Sequence, residues 1–151
     1  MARSTARAAV MQMIFENLAG GEGGEETLAM VYEALRHEGI PGVEIAENEP
    51  NKSDKAYIAR VLDGVLSHLD ELDEQIAEAA RGWSIERMPR VDLTIMRLAA
   101  WEILHEEDIP GNVAISEAVE LANRYSDPDS SSRFINGVLG AILRKSEASE
   151  A

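Results

Sequence analysis

Apolar residues recur every three or four positions along almost the whole of this 151-residue chain, and that spacing constrains the fold more than any other feature. Val10, Ile14 and Leu18 repeat every four residues, beside Met11 and Phe15. Ile58, Val61, Leu62, Val65, Leu66 and Leu69 form a second stripe. Residues 91–105 carry Ile95, Leu98, Ala99 and Trp101 at helical spacing. Phe134, Val138 and Ile142 run beside Ile135, Leu139 and Leu143, which predicts burial around much of that last helix. No segment alternates with the period of a strand. The expected class is all-α, with about seven helices in a single domain over 1–151.

Glycine, proline and polar clusters mark the helix ends. Ser4 or Thr5 is expected to cap the first helix, and Gly20, Gly21, Gly23 and Gly24 to end it. A second helix is expected over about 25–37, followed by an acidic loop, so that 20–52 forms a variable acidic region. Ser53 is the expected cap of the third helix. Helical spacing continues through Leu72, Ile76 and Ala80 until Gly82, and Trp83 then opens a short connection. Pro89 precedes the 91–105 helix, Pro110 and Gly111 precede one over 113–125, and 127–130 turns into the last. Residues 147–151 are expected to fray.

Chemistry is sparse. The chain has no Cys, which removes disulfides, thiolate zinc sites and cysteine nucleophiles. His37, His68 and His105 form no ligand pair at helical spacing, so no metal site is expected. Carboxylate pairs such as Glu106/Glu107 follow from an abundance of acids and do not mark a catalytic pair. The glycines at 20–24 follow a helix and lack the Gly-Lys-Ser/Thr element of a phosphate loop. No catalytic residue and no cofactor are expected, and the chain reads as a binding protein rather than an enzyme. No apolar run is long enough to span a membrane, and the N-terminus is not built like a signal peptide, which suits a cytoplasmic location.

A formal net charge of −14 argues against nucleic-acid binding until its distribution is considered. Residues 1–15 hold Arg3 and Arg7 and no acid, and residues 130–146 hold Arg133, Arg144 and Lys145 and no acid. Phosphate binding follows the potential within a Debye length, roughly 8–10 Å in physiological salt. The two acid-free ends would make a basic face on an acidic protein wherever a fold brings them together. Arg3 and Arg7 lie four apart on one helix face, which is equally the pattern of an ordinary solvated face. Arg133 follows a serine-rich turn at a helix start, where free N–H groups, hydroxyls and a cation suit a phosphate. Phe134 heads a core stripe, and Tyr125 beside the turn is placed either to stack on an unpaired base or to cover the core.

Residues 91–104, Val-Asp-Leu-Thr-Ile-Met-Arg-Leu-Ala-Ala-Trp-Glu-Ile-Leu, resemble the signature helix of the NusB family of transcription antitermination factors (N-utilization substance B). Asp108-Ile109-Pro110, the run 113–122 and Phe134-Ile135-Asn136-Gly137-Val138-Leu139 continue the resemblance in order, and Ala6-Arg7 with Gln12 and Phe15 extends it to the first helix. The resemblance implies a compact all-α fold with the helices in two packed sub-bundles, and binding to single-stranded boxA RNA of ribosomal RNA operons. It implies a complex with the small-subunit ribosomal protein called NusE in this role, and loading onto RNA polymerase in an antitermination complex. Position by position, it implies an RNA side of Arg3, Arg7, Tyr125, Arg133, Phe134 and Asn136, and a protein-partner side of Phe15, Glu86 and Asp92. Family members often have a denser arginine cluster at the N-terminus, so fewer phosphate contacts and a shallower salt dependence are expected here. A protein-only helical adaptor is the rival reading, favoured by the net charge. A relative of the N-terminal domain of a ribosomal-RNA cytosine methyltransferase is another, and a homodimer stays open.

Overall fold

A computed structural model of the chain describes residues 3–20 and 50–150. Among these residues there are six α-helices, one 3-10 turn and no strand. The helix expected over 25–37 and its acidic loop lie outside the described residues. The chain divides into two compact units, Met1–Asp63 and Gly64–Ala151.

In the first unit, α1 spans Arg3–Leu18. Every residue from Thr5 to Met11 is buried, so this helix is enclosed around its circumference rather than along one stripe. Small side chains, Ala6, Ala8 and Ala9, accordingly recur through its first half. Val10 and Ile14 are fully buried as their spacing predicts, whereas Leu18, the last residue of the stripe, is exposed. Helix α2, Lys52–Ser67, begins in this unit and continues into the next. Its cap is Asn51 rather than Ser53, which lies inside the helix. Asp54 N–H donates to Asn51 Oδ1 and Asn51 N–H to Asp54 Oδ2, both at 2.9 Å. This reciprocal pair satisfies two otherwise orphaned donors, as a capping box does. The chain carries the motif as Asn-Lys-Ser-Asp, a short-armed version of the usual Ser/Thr and Glu.

In the second unit, His68 interrupts the helical path and α3 runs Leu69–Ala79. Gly64 lies against Trp101, where even a Cβ would sit 2.3 Å from the indole. Gly82 ends the stretch with φ +86, a conformation that costs glycine little and other residues more. After the 3-10 turn Ile85–Arg87 come α4, Arg90–His105, α5, Gly111–Tyr125, and α6, Ser130–Glu150. Pro89 and Pro110 each supply the cap of the helix that follows. The Pro110 carbonyl accepts from the N–H groups of Val113 and Ala114, so α5 starts two residues earlier than its apolar pattern suggests. The expected frayed tail is helical through Glu150.

Helices α4, α5 and α6 pack on one another pairwise, with α3 against α4 and α6. Ala114, Ala118 and Ala122 line the buried side of α5 at four-residue spacing, which lets its neighbours approach closely. Ile95, Met96, Leu98, Ile135, Leu139 and Ile142 fill the centre. Truncating one of these to alanine costs about 2–5 kcal/mol. Charged groups add ties at the surface. Arg97 grips Asp73 with two hydrogen bonds of 2.7 and 2.8 Å, joining α4 to α3. His105 to Glu71 and Lys145 to Glu78 tie α4 and α6 to the same helix.

Candidate nucleic-acid interface

The turn between α5 and α6 is held from three sides. Asp92, in the first turn of α4, is only 3% exposed. Its Oδ1 accepts from Ser126 Oγ at 2.5 Å and its Oδ2 from Ser131 Oγ at 2.8 Å. One buried carboxylate thus joins the last residue before the turn to the second residue of α6. Ser132 Oγ donates to Asn123 Oδ1, a further tie between the two helices. Inside the turn, Asp127 Oδ1 accepts the N–H groups of Asp129 and Ser130 at 2.9 and 3.2 Å. Those backbone bonds, Asp129's first, hold the Asp127 carboxyl below its ordinary range.

Two sequence expectations change here. The start of α6 was expected to offer free N–H groups to a phosphate, but Asp127 already occupies two of them with its own negative charge. Asp92 was expected to face a protein partner. Its carboxylate is instead buried against two serines, where it positions the turn. Sequence reasoning missed this clamp because neither serine is near Asp92 along the chain.

Around the clamped turn, Arg133 and Asn136 are exposed, and Tyr125 and Phe134 are half-buried. Phe134 does not sit wholly in the core, as its place at the head of a stripe predicts. Its ring meets Trp83 at a centroid distance of 5.4 Å and a tilt of 56°. The two rings, with Met88 and Pro89, form the apolar side of a cavity of about 300 Å³. Asp92, Ser130 and Ser131 form its polar side, with Arg87 also among its lining residues. Trp83 itself was read only as the start of a connection. Glu86 is exposed in the 3-10 turn.

The first unit gathers cations in its own way. The Arg3 guanidinium lies 4.3 Å from the centroid of the Tyr57 ring, and those of Arg7 and Arg60 lie 6.0 Å from it. Tyr57 is buried, and a ring attracts cations at its face. Arg3 and Arg7 do share a helix face, but Arg7 is 4% exposed, so it is not part of a solvated surface. Arg60 was missed, because nothing in the sequence links α2 to α1. Phe15 is 36% exposed near the end of α1.

Elsewhere in the second unit His68 and His105 come together against Trp101, with ring centroids 4.3–5.7 Å apart. Their distance in sequence hid this cluster. Among the described residues no group of three or more His, Cys, Asp or Glu is arranged to hold a metal ion.

Comparison with known proteins agrees with the helical architecture. The NusB family model matches residues 4–144. The chain belongs to the NusB family. The match spans both units and covers every candidate site residue named above except Arg3. "Transcription antitermination protein NusB" of Symbiobacterium thermophilum is 40% identical over 144 residues, covering 95% of this chain and 90% of that protein. Among solved structures, T. maritima NusB superposes with a TM-score of 0.76 at 29% identity, over 100% of this chain and 99% of that one. A chain in a crystal structure described as a plectonemic RNA supercoil superposes with a TM-score of 0.79 at 26% identity, over 97% of each chain.

Proposed function

We propose that this protein is a transcription antitermination factor. It binds single-stranded boxA-type RNA of ribosomal RNA operon transcripts together with the small-subunit ribosomal protein NusE, within an RNA polymerase antitermination complex in the cytoplasm. The observation that carries the reading is the clamped 126–131 turn, which presents Tyr125, Arg133, Phe134 and Asn136 from fixed backbone beside an open aromatic cavity. Unpaired bases are recognised by stacking and by hydrogen bonds to their edges, and both kinds of group are present. Arg3 and Arg7 of the first unit supply positive charge for phosphates, Arg3 from the surface and Arg7 from beside Tyr57. Family membership and the RNA named in the description of one structural neighbour support the same assignment.

Phe15 and Glu86 are assigned to the protein partner, and Asp92 acts through the turn that it holds. No step in this reading is catalytic, and the protein works by binding alone. No helix among the described residues is long and apolar enough to cross a membrane, which is compatible with that location. Fluorescence anisotropy with boxA-type and scrambled single-stranded RNA, each with and without the ribosomal protein, tests the proposal. The boxA-type RNA is expected to bind more tightly, with the larger preference when the partner is present. Equal binding of the two RNAs in both settings would refute it. The rival, a protein-only adaptor, draws on the net charge of −14 and on the exposed Phe15 and Leu18. It predicts binding of the ribosomal protein and no RNA binding in either setting.

A further inference from the structure

Trp83 is 55% exposed, more than any other large apolar residue among those described. An indole left this open contributes little to a core and is well suited to stacking. Trp83 follows Gly82, whose positive φ turns the chain, and its backbone N–H donates to the Ala80 carbonyl at 3.0 Å. The ring is therefore mounted on fixed backbone, with its neighbour Phe134 on the first turns of α6.

The cavity beside this pair has an apolar side and a polar side of distinct character. Asp92 is the acid on the polar side, and a carboxylate only accepts hydrogen bonds, whereas Arg87, the other charged lining residue, donates. Each Asp92 oxygen accepts one serine proton, which leaves further lone-pair capacity. The Ser131 hydroxyl directs its proton to Asp92, so toward the cavity it too offers lone pairs. A ligand suited to the cavity is flat, stacks on an aromatic wall and donates hydrogen bonds from one edge. Exposed Arg87, Arg90 and Arg133 stand on the neighbouring elements and favour a ligand attached to phosphate. The same cations disfavour the arginine of a protein, which otherwise has a suitable shape.

We infer that the Trp83–Phe134 cavity is a subsite for one unpaired RNA base, with Trp83 as a stacking residue and Asp92 selecting a base whose edge donates. Adenine, cytosine and guanine carry amino groups on their pairing edges. Uracil carries no amino group there and donates only through N3–H, between two carbonyls, so it is disfavoured beside Asp92. The subsite rests on the RNA-binding reading above and adds to it a residue and a base preference.

The test uses the full chain with the ribosomal partner and a labelled boxA-type dodecamer, together with variants in which single positions are changed to uridine. Trp83→Ala is expected to weaken binding by about tenfold, in the range of a lost base–aromatic stack. Trp83→Phe, which keeps an aromatic face, is expected to stay within about twofold of wild type on the same grounds. One position of the RNA is expected to show a uridine penalty in wild type that disappears in Trp83→Ala. RNA is also expected to quench tryptophan fluorescence in wild type but not in Trp83→Phe, where Trp101 remains as an internal reference. The quenching and the Trp83→Phe result test the subsite even if Trp83→Ala should fail to fold. Tight RNA binding with no quenching and no loss in Trp83→Ala overturns the subsite and leaves the RNA-binding reading intact. Absence of RNA binding by wild type in both settings overturns that reading, and the subsite with it. Quenching by N-acetylarginine amide but not by RNA assigns the cavity to a protein side chain and also overturns the inference.

Discussion

The two ends of the second unit are built from the same three helices and differ in charge. At one end lie the start of α4, the end of α5 and the start of α6, with Arg87, Arg90, Arg124 and Arg133 exposed. The exposed acids there are Glu86, Asp127 and Asp129, and Asp127 is engaged with two backbone N–H groups. At the other end α4 and α6 finish and α5 begins, around a cavity of about 650 Å³. Glu106, Glu107, Glu147 and Glu150 line it, and no Lys or Arg does. The net charge of −14 is thus an average over unlike surfaces. A polyanion responds to the potential within a Debye length, so under the proposed function RNA is expected at the arginine-bearing end and not at the acidic one.

Charge reversal separates the two ends most sharply. Asp92→Lys places a cation where a buried carboxylate held two serines, and is expected to destabilise the protein by about 3–5 kcal/mol. Glu107→Lys and Glu147→Lys, on the exposed rim of the acidic end, are expected to leave the melting temperature where it is. Thermal unfolding by circular dichroism reads both. If Asp92→Lys melted like wild type, the clamp would have no energetic weight, and the turn would owe its shape to the backbone alone.

Tyr125→Ala is the next effect in size. A stacked base lost at this position costs about 1–3 kcal/mol of RNA binding, with the salt dependence unchanged. If Tyr125 only covers the core, the same variant lowers the melting temperature and leaves the affinity of the folded fraction alone. Arg133→Ala is smaller and of a different kind. It is expected to lower the slope of log affinity against log salt by about 0.7, the increment for one phosphate contact on a single strand. Arg3→Ala is the matching probe in the first unit. Arg7→Ala is a poor one, because a buried guanidinium against Tyr57 contributes packing as well as charge. Unchanged salt slopes in both Arg133→Ala and Arg3→Ala would remove the electrostatic part of the comparison.

How much of this could be read from the chain depends on how local each interaction is. Helix periodicity is set by neighbours three and four residues apart, so α4 and α6 are legible in Ile95, Leu98, Ile135 and Leu139. Local end signals are legible too, as Pro89 and Gly82 illustrate. The Asn51/Asp54 cap is equally local, and Ser53, an equally favourable cap residue two positions on, obscured it. The clamp is different, because Asp92 meets Ser126 and Ser131 across 34 and 39 residues. Side-chain spacing carries no information about which helix ends will meet, so Asp92 read as a surface carboxylate. Arg60 beside Tyr57 and Arg3 was hidden in the same way. For Trp83 the missing quantity was exposure, since a tryptophan in a connection is equally a lid or a platform until the packing is known.

The smallest expected effect concerns Asp127, at the arginine-bearing end. Asp127 is held below its ordinary value of 3.8 by the N–H groups of Asp129 and Ser130, which favour the charged carboxylate. A carboxyl with a lowered folded value contributes stability that is fully present above its ordinary value. That contribution is lost as pH falls through the lowered one. Asp127→Ala is therefore expected to melt below wild type at pH 6, and the gap is expected to shrink as pH drops below 3.8. Glu147→Ala, at the acidic end of the same helix, serves as the control for general acid unfolding. A gap for Asp127→Ala that stays constant from pH 6 downward would mean that the cap works through its shape and not its charge. The negative charge could then be removed with Asp127→Asn, which keeps an acceptor for both N–H groups. In that case the arginine-bearing end should gain affinity for RNA at low salt without losing stability, widening the contrast between the two ends.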